Sequence, residues 1–177
     1  MTLNHGFTIW FTGLSGAGKT TISHLVETEL RARGLPVEVL DGDVVREHLS
    51  KGLGFTKADR DTNILRIAFV SKLLTRNGVV TLVSAISPYR EARELARKEI
   101  GHFVEVYVKC PLDACIARDT KGLYKKAIEG TIPIFTGISD PYEEPLEPEI
   151  LLQTDQETPQ QSAAVALKRL QELGYLV

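Results

Sequence analysis

Two short stretches carry residue types suited to phosphate chemistry. Gly13 to Thr20, GLSGAGKT, fits the spacing GxxxxGK[ST]. In such a loop glycines let backbone N–H groups turn toward phosphate oxygens, and the following helix adds partial positive charge at its start. Lys19 can then reach the outer phosphates, and the Thr20 hydroxyl can ligate Mg2+. The second stretch, LDGDVVR from Leu40 to Arg46, sets Asp41 and Asp43 on either side of a glycine directly after an apolar run. Two carboxylates beside a phosphate cradle need a task of their own. Phosphoryl transfer offers one, because an acceptor hydroxyl must be oriented and lose a proton while a metal ion neutralises the nucleotide. Asp43 suits the hydroxyl, and Asp41 suits water or metal contacts. The competing explanation is that Asp43 caps a helix while Asp41 forms a turn.

The cradle motif means something only between a strand and a helix, and the sequence supplies both. Phe7 to Thr12 reads as a buried strand, and Lys19 to Arg33 as a helix that Gly34 ends. Val37 to Leu40 is a second strand, with a short helix at the acidic pair. Thr56 to Asp59 has capping-box form ahead of a long helix running to Arg76, stopped by Asn77-Gly78. The same four residues, TKAD, resemble a guanine-reading NKxD element, but they open a helix early in the chain and are read as a cap. Val79 to Ser84 is the third strand, after which Ser87-Pro88 predicts a helix with serine as cap and proline first. Phe103 to Val108 is the fourth strand, a helix follows Pro111, Ile150 to Gln153 is the last strand, and Gln160 to Leu173 is an amphipathic closing helix.

This alternation predicts an α/β fold of the P-loop NTPase type, a three-layer sandwich around a mainly parallel five-stranded sheet with ligands at the carboxyl ends of its strands. From Arg118 to Gly137 the apolar period fails, and this basic, glycine-punctuated segment predicts a mobile loop or lid. Its Arg118, Lys121, Lys125 and Lys126 could bring positive charge onto a transferring phosphoryl group, although a basic run is also how a solvated face looks. Arg60 and Asn63, three apart on the long helix, share the inward stripe of Ile67, Ser71 and Leu74, so each needs a polar partner in the ligand or in the protein. Ser87 is expected to cap its helix, and that helix start could also take an anion.

Composition restricts the function classes. The 177 residues suit one domain, and a formal net charge of -2 argues against wholesale nucleic-acid or membrane binding. The opening MTLNHGFTIWFTG shows no basic leader and no apolar span, which makes the cytoplasm the expected location. Cys110 and Cys115 have neither zinc nor redox spacing and are expected to be buried thiols. A short chain with this cradle and no second long module favours a small-molecule kinase.

Taken together, GLSGAGKTT, LDGDVVR, LGFTKADRDTNILRI, SAISPYR, RDTKGLYKKA and IFTGISDPYE resemble the adenylylsulfate kinase family over almost the whole chain and in its order. The resemblance implies a P-loop kinase that uses MgATP to phosphorylate the ribose 3'-hydroxyl of adenosine 5'-phosphosulfate, giving PAPS and ADP in sulfate assimilation. ATP is then expected on Gly13, Leu14, Ser15, Gly16, Ala17, Gly18, Lys19, Thr20, Thr21 and Arg118. The phosphosulfate nucleotide is expected on Asp43, Val44, Val45, Arg46, Phe55, Arg60, Asp61, Thr62, Asn63, Ile86, Ser87, Lys121, Ile134 and Phe135, with the two aromatics sandwiching its adenine. Catalytic roles fall to Lys19, Asp41, Asp43, Ser87 and Lys121, and Mg2+ to Thr20 through the nucleotide and Asp41 through water. Ser87 matches a serine described in the family as a phosphoserine intermediate, yet direct in-line transfer is favoured because an acceptor beside ATP needs no covalent relay. Family members are commonly homodimers. Val44, Thr62, Leu65 and Ser84-Ala85 depart from the usual pattern. Two rivals stand beside this expectation: a regulatory domain that binds nucleotide without catalysis, and a kinase for another small acceptor.

Overall fold

The computed structural model describes residues 5–177. The first four residues of the opening MTLNHGFTIWFTG lie outside the described residues. Five strands form one sheet in the order β2-β3-β1-β4-β5, and every pairing is parallel. They are β1 (Thr8–Thr12), β2 (Val37–Asp41), β3 (Val80–Ser84), β4 (Phe103–Lys109) and β5 (Ile150–Gln153). The strand β1 is buried at all five residues, as a central parallel strand covered on both faces must be. Helices α1 (Lys19–Ala32) and α7 (Pro159–Glu172) pack together on one face of the sheet, and α3 (Lys57–Arg76) and α4 (Arg90–Ile100) on the other. Two cores result. One gathers Ile9, Phe11, Ile22, Val26 and Leu170; the other gathers Trp10, Ile64, Ile67, Val83 and Ala96.

Local chemistry sets the element ends. Thr56 caps α3 by accepting the Asp59 N–H at 3.2 Å, which makes TKAD a helix start. Thr158 and Gln161 form a reciprocal capping box on α7 with Pro159 in its first turn, so this helix begins one residue before the expected Gln160. The short α2 (Gly42–Glu47) follows β2 without a loop. Register then pairs Asp41 with Ser84, and Ser84 with Phe11 on the next strand, so the carboxyl ends of β1, β2 and β3 share one rim.

Two expectations change. The helix α4 begins at Arg90 with Tyr89 as its N-cap residue, so neither Ser87 nor Pro88 starts it. Ser87 has φ 50, in the left-handed region, whereas an N-cap needs extended backbone. The Arg90 N–H is met by the remote Glu143 carboxylate at 3.0 Å, so this helix start is already occupied by a protein anion. The lid is also not an unstructured loop. Between α5 (Leu112–Arg118) and the strap at residues 132–142 it holds a helix, α6 (Leu123–Ile128), whose Tyr124 and Ala127 are buried. Asp119 makes that helix possible, because its carboxylate accepts the Tyr124 and Lys125 N–H groups at 3.0 Å each.

Candidate active site

The cradle runs from Gly13 to Lys19 between β1 and α1. Gly13 passes so close to β4 that a Cβ there would lie 2.5 Å from the Val108 carbonyl oxygen. Lys19 is buried, and its ammonium donates to the carbonyls of Gly13 and Leu14 at 2.9 and 2.8 Å. Burial lowers its pKa to about 8, with the charge of Lys121 acting in the same direction and the Asp41 and Asp43 carboxylates opposing. Three remote groups brace the loop from behind: Tyr124 Oη donates to the Ser15 carbonyl at 2.7 Å, Thr154 Oγ1 to Ala17 at 2.7 Å and Arg118 Nη1 to Gly16 at 3.3 Å.

The two carboxylates of LDGDVVR divide their work differently from the capping alternative. Asp41 caps α2 by accepting the Asp43 N–H at 3.0 Å, and its other oxygen accepts from the Thr20 hydroxyl at 2.9 Å. Asp43 is thereby free of the cap. Its exposed carboxylate forms a short ion pair with Lys121 of the lid.

Beyond Asp43 the cavity wall is basic and aromatic. Arg46 donates to the Gly54 carbonyl at 2.7 Å, and its guanidinium lies 4.7 Å from the centre of the Phe55 ring. Arg60 donates to Phe55 O at 2.8 Å and to Asp140 at 3.1 Å, and it also meets the Thr136 hydroxyl. Arg46 thus covers the Phe55 ring and Arg60 holds its backbone carbonyl, while the residue stays 58% exposed. Phe135, by contrast, is buried edge-on against Tyr124. Asn63 lines the cavity and is buried, and its Oδ1 has no partner in the protein.

One cavity of about 1460 Å³ joins these parts, lined by Ser15 to Thr21 at one end and by Asp43, Val44, Arg46, Phe55, Arg60, Asn63, Ile134 and Phe135 at the other. Asp41, Ile86, Ser87, Arg118 and Lys121 line it too. Five expected residues lie off its wall. Gly13 and Leu14 contribute carbonyls to Lys19, with Leu14 facing a separate cavity behind the strap. Val45 belongs to the core, Thr62 bonds back to Ala58 at 2.8 Å, and Asp61 pairs with Lys57 at 2.6 Å. Ser87 is 2% exposed, and its hydroxyl accepts from the Trp10 indole at 2.9 Å while donating to Ala85 O at 3.3 Å. Sequence reasoning missed Tyr124, Asp119, Thr136, Asp140 and Thr154. Asp119 and Tyr124 stand in the stretch RDTKGLYKKA, and Thr136 and Asp140 in IFTGISDPYE, which carry the family resemblance without marking these residues, whereas Thr154 lies in no such stretch.

A parallel sheet, a phosphate-binding loop with its buried lysine, and a carboxylate facing the same cavity define a P-loop phosphotransferase. Residues 5–153 match the protein family described as adenylylsulphate kinase. An adenylyl-sulfate kinase of Rippkaea orientalis is 63% identical over 171 residues, covering 97% of this chain and 94% of that protein. The structure of the Mycobacterium tuberculosis APS kinase CysC in complex with AMPPNP and APS superposes with a TM-score of 0.91 at 44% identity, covering 94% of this chain and 98% of that one. A hexameric APS kinase from Thiobacillus denitrificans matches with a TM-score of 0.74 at 35% identity, over 97% of this chain and 30% of that one. The chain belongs to the adenylylsulphate kinase family. It is an ATP-dependent kinase acting on adenylyl sulfate, and a nucleotide in such reactions works with a divalent metal ion. No described helix is long and apolar enough to cross a membrane.

Proposed function

We propose that one domain holds both nucleotides at once, with ATP over the cradle and adenosine 5'-phosphosulfate at the Asp43 to Phe135 end. The γ-phosphoryl group then passes in line to the ribose 3'-hydroxyl, giving PAPS and ADP. The cavity volume carries this assignment: about 1460 Å³ exceeds the roughly 300–1,000 Å³ that suits one ligand. Asp43 orients the hydroxyl and accepts its proton. Lys19 and Lys121 face the charge that develops on the transferring group, and Arg118 supports the ATP end. Arg46 and Arg60 position Phe55 against the acceptor's adenine, and Asn63 Oδ1 takes a donor from the same nucleotide.

The Thr20 hydroxyl and the Asp41 carboxylate, 2.9 Å apart at the edge of the cradle, fit a Mg2+ ion brought in on the phosphates. When bound, that ion supplies charge neutralisation on the β- and γ-phosphates. Direct transfer is supported over a serine relay because the Ser87 hydroxyl is buried and already committed to two protein partners. Two free, buried cysteines suit a reducing compartment and support a cytoplasmic location. Leu65 and Phe69, exposed and four apart on α3, offer an apolar face for a homodimer.

A coupled ADP-release assay tests the acceptor. Adenylylsulfate should be used at a kcat/KM at least ~100-fold above AMP, gluconate or shikimate, since a site built around a specific donor and acceptor set rejects analogues that leave it unpaired. Equal use of any of the three would remove the assignment.

A further inference from the structure

Arg93 lies on the face of α4 that meets the sheet, beside Ala92, Ala96 and Ile100, and is only 2% exposed. Its Nε donates to Glu105 Oε1 at 2.9 Å, Nη1 to the Ser87 carbonyl at 2.5 Å and Nη2 to the Glu143 carbonyl at 2.6 Å. A single planar fork thus joins three parts of the chain: the middle of β4, the turn after β3 and the segment that leaves the strap. Glu105 is buried too. Its other oxygen accepts from Arg97 at 3.4 Å, and Glu149 accepts from Arg97 at 2.6 Å and from the Glu105 N–H at 2.7 Å. Two positive and two negative groups balance. Desolvating such a set is costly, and apolar side chains of similar volume would hold α4 on β4 as well, so packing alone does not account for it.

Ser87 supplies another reason. A non-glycine residue at φ 50 persists only where its surroundings over-determine it. Its hydroxyl is fixed by Trp10 and Ala85, and Arg93 holds its carbonyl. The preceding Ile86 carbonyl is taken by Thr12 Oγ1 at 2.6 Å. Held in this way, Ile86 and Ser87 line the cavity beside Asn63. The same guanidinium anchors Glu143, three residues beyond the Asp140 that Arg60 and Tyr89 grip on the strap.

We propose that Arg93 is a positioning residue for the acceptor nucleotide, a buried clamp that keeps Ser87 left-handed and ties the Ile86–Ser87 turn to the end of the strap. The proposal rests on the assignment of that end of the cavity to adenylylsulfate. Arg93→Lys keeps the charge but cannot span three acceptors in one plane. The pair Arg93→Met with Glu105→Leu removes both charges, so no orphaned ion is left in the core.

Both variants are compared with the parent protein for kcat, for KM toward each substrate, for thermal melting, and for the emission of Trp10, the only tryptophan in the chain. The expected result is a KM for adenylylsulfate raised at least ~10-fold with the KM for ATP within ~2-fold, and a shifted Trp10 emission in the ligand-free protein. The double variant should still melt cooperatively yet keep the same defect; if it does not fold, Arg93→Lys decides alone. A parental KM for adenylylsulfate in a folded variant would overturn the proposal, as would an equal rise in both KM values. A rise for ATP alone would overturn the proposal as well and would point to the opposite assignment of the two cavity ends, which substitution at Asp43 probes independently.

Discussion

The surroundings of Lys19 change its chemistry. Burial takes its pKa from the ordinary 10.5 to about 8. Between these two values the unfolded chain binds more protons than the folded one, so this group makes stability rise with pH from about 8 to 10.5. Below pH 8 the cost of holding the charge in the core is present in full. Phosphates placed on the cradle favour the charged form, so ATP binding at pH 8.5 is expected to take up a fraction of a proton. Calorimetry in two buffers of different ionisation enthalpy reads this directly, and the uptake should vanish in Lys19→Arg, whose charge does not titrate in this range. Residue types in the sequence pointed to Lys19, Thr20 and the acidic pair, because those signals are local. What could not be read was which carboxylate caps the helix. Either spacing permits it, and only the three-dimensional approach of Thr20 to Asp41 and of Lys121 to Asp43 separates the roles.

At the level of elements, the strap at residues 132–142 has no apolar period that predicts its shape, yet specific contacts hold it in the fold. Gly137 sits at φ 91, where a Cβ would lie 3.1 Å from Leu112 Cδ1 and 3.3 Å from Leu14 Cδ2. Gly130 has a similar φ of 80 but nothing within 4 Å. Gly137→Ala should therefore lose about 1–3 kcal/mol in urea unfolding, while Gly130→Ala loses about 1 kcal/mol from backbone strain alone. Equal losses would mean that the contact with the cradle side of the molecule is not tight. The strands and long helices were legible because apolar periodicity and caps act over a few residues. The lid helix α6 was not, since its cap comes from Asp119 and its buried face from Tyr124 and Ala127 packing on the cradle. Likewise α4 looked as if it began at Ser87-Pro88, because nothing local revealed that the Glu143 carboxylate would satisfy the Arg90 N–H.

Over the whole molecule, the parallel sheet brings two chemically different regions to one rim, and a single cavity joins them. Its existence followed from the strand–helix alternation, whereas its extent depended on the lid, which the sequence left without structure. The apolar face at Leu65 and Phe69 leads to an expectation for assembly. Sedimentation velocity should give twice the chain mass of 19.6 kDa for the parent protein and a monomer for the Leu65→Glu, Phe69→Glu pair. A parent that sediments as a monomer would remove the homodimer. The division of the cavity into an ATP end and an acceptor end is tested most directly by Asp43→Asn, which keeps the shape of the side chain and removes its capacity to accept a proton. We expect kcat to fall by roughly 10²–10⁴ with adenylylsulfate as acceptor, while the Kd for ATP, measured by direct titration, stays within about 2-fold of the parent value. Full turnover in that variant, or a loss of ATP affinity as large as the loss of rate, would show that Asp43 does not serve the acceptor hydroxyl.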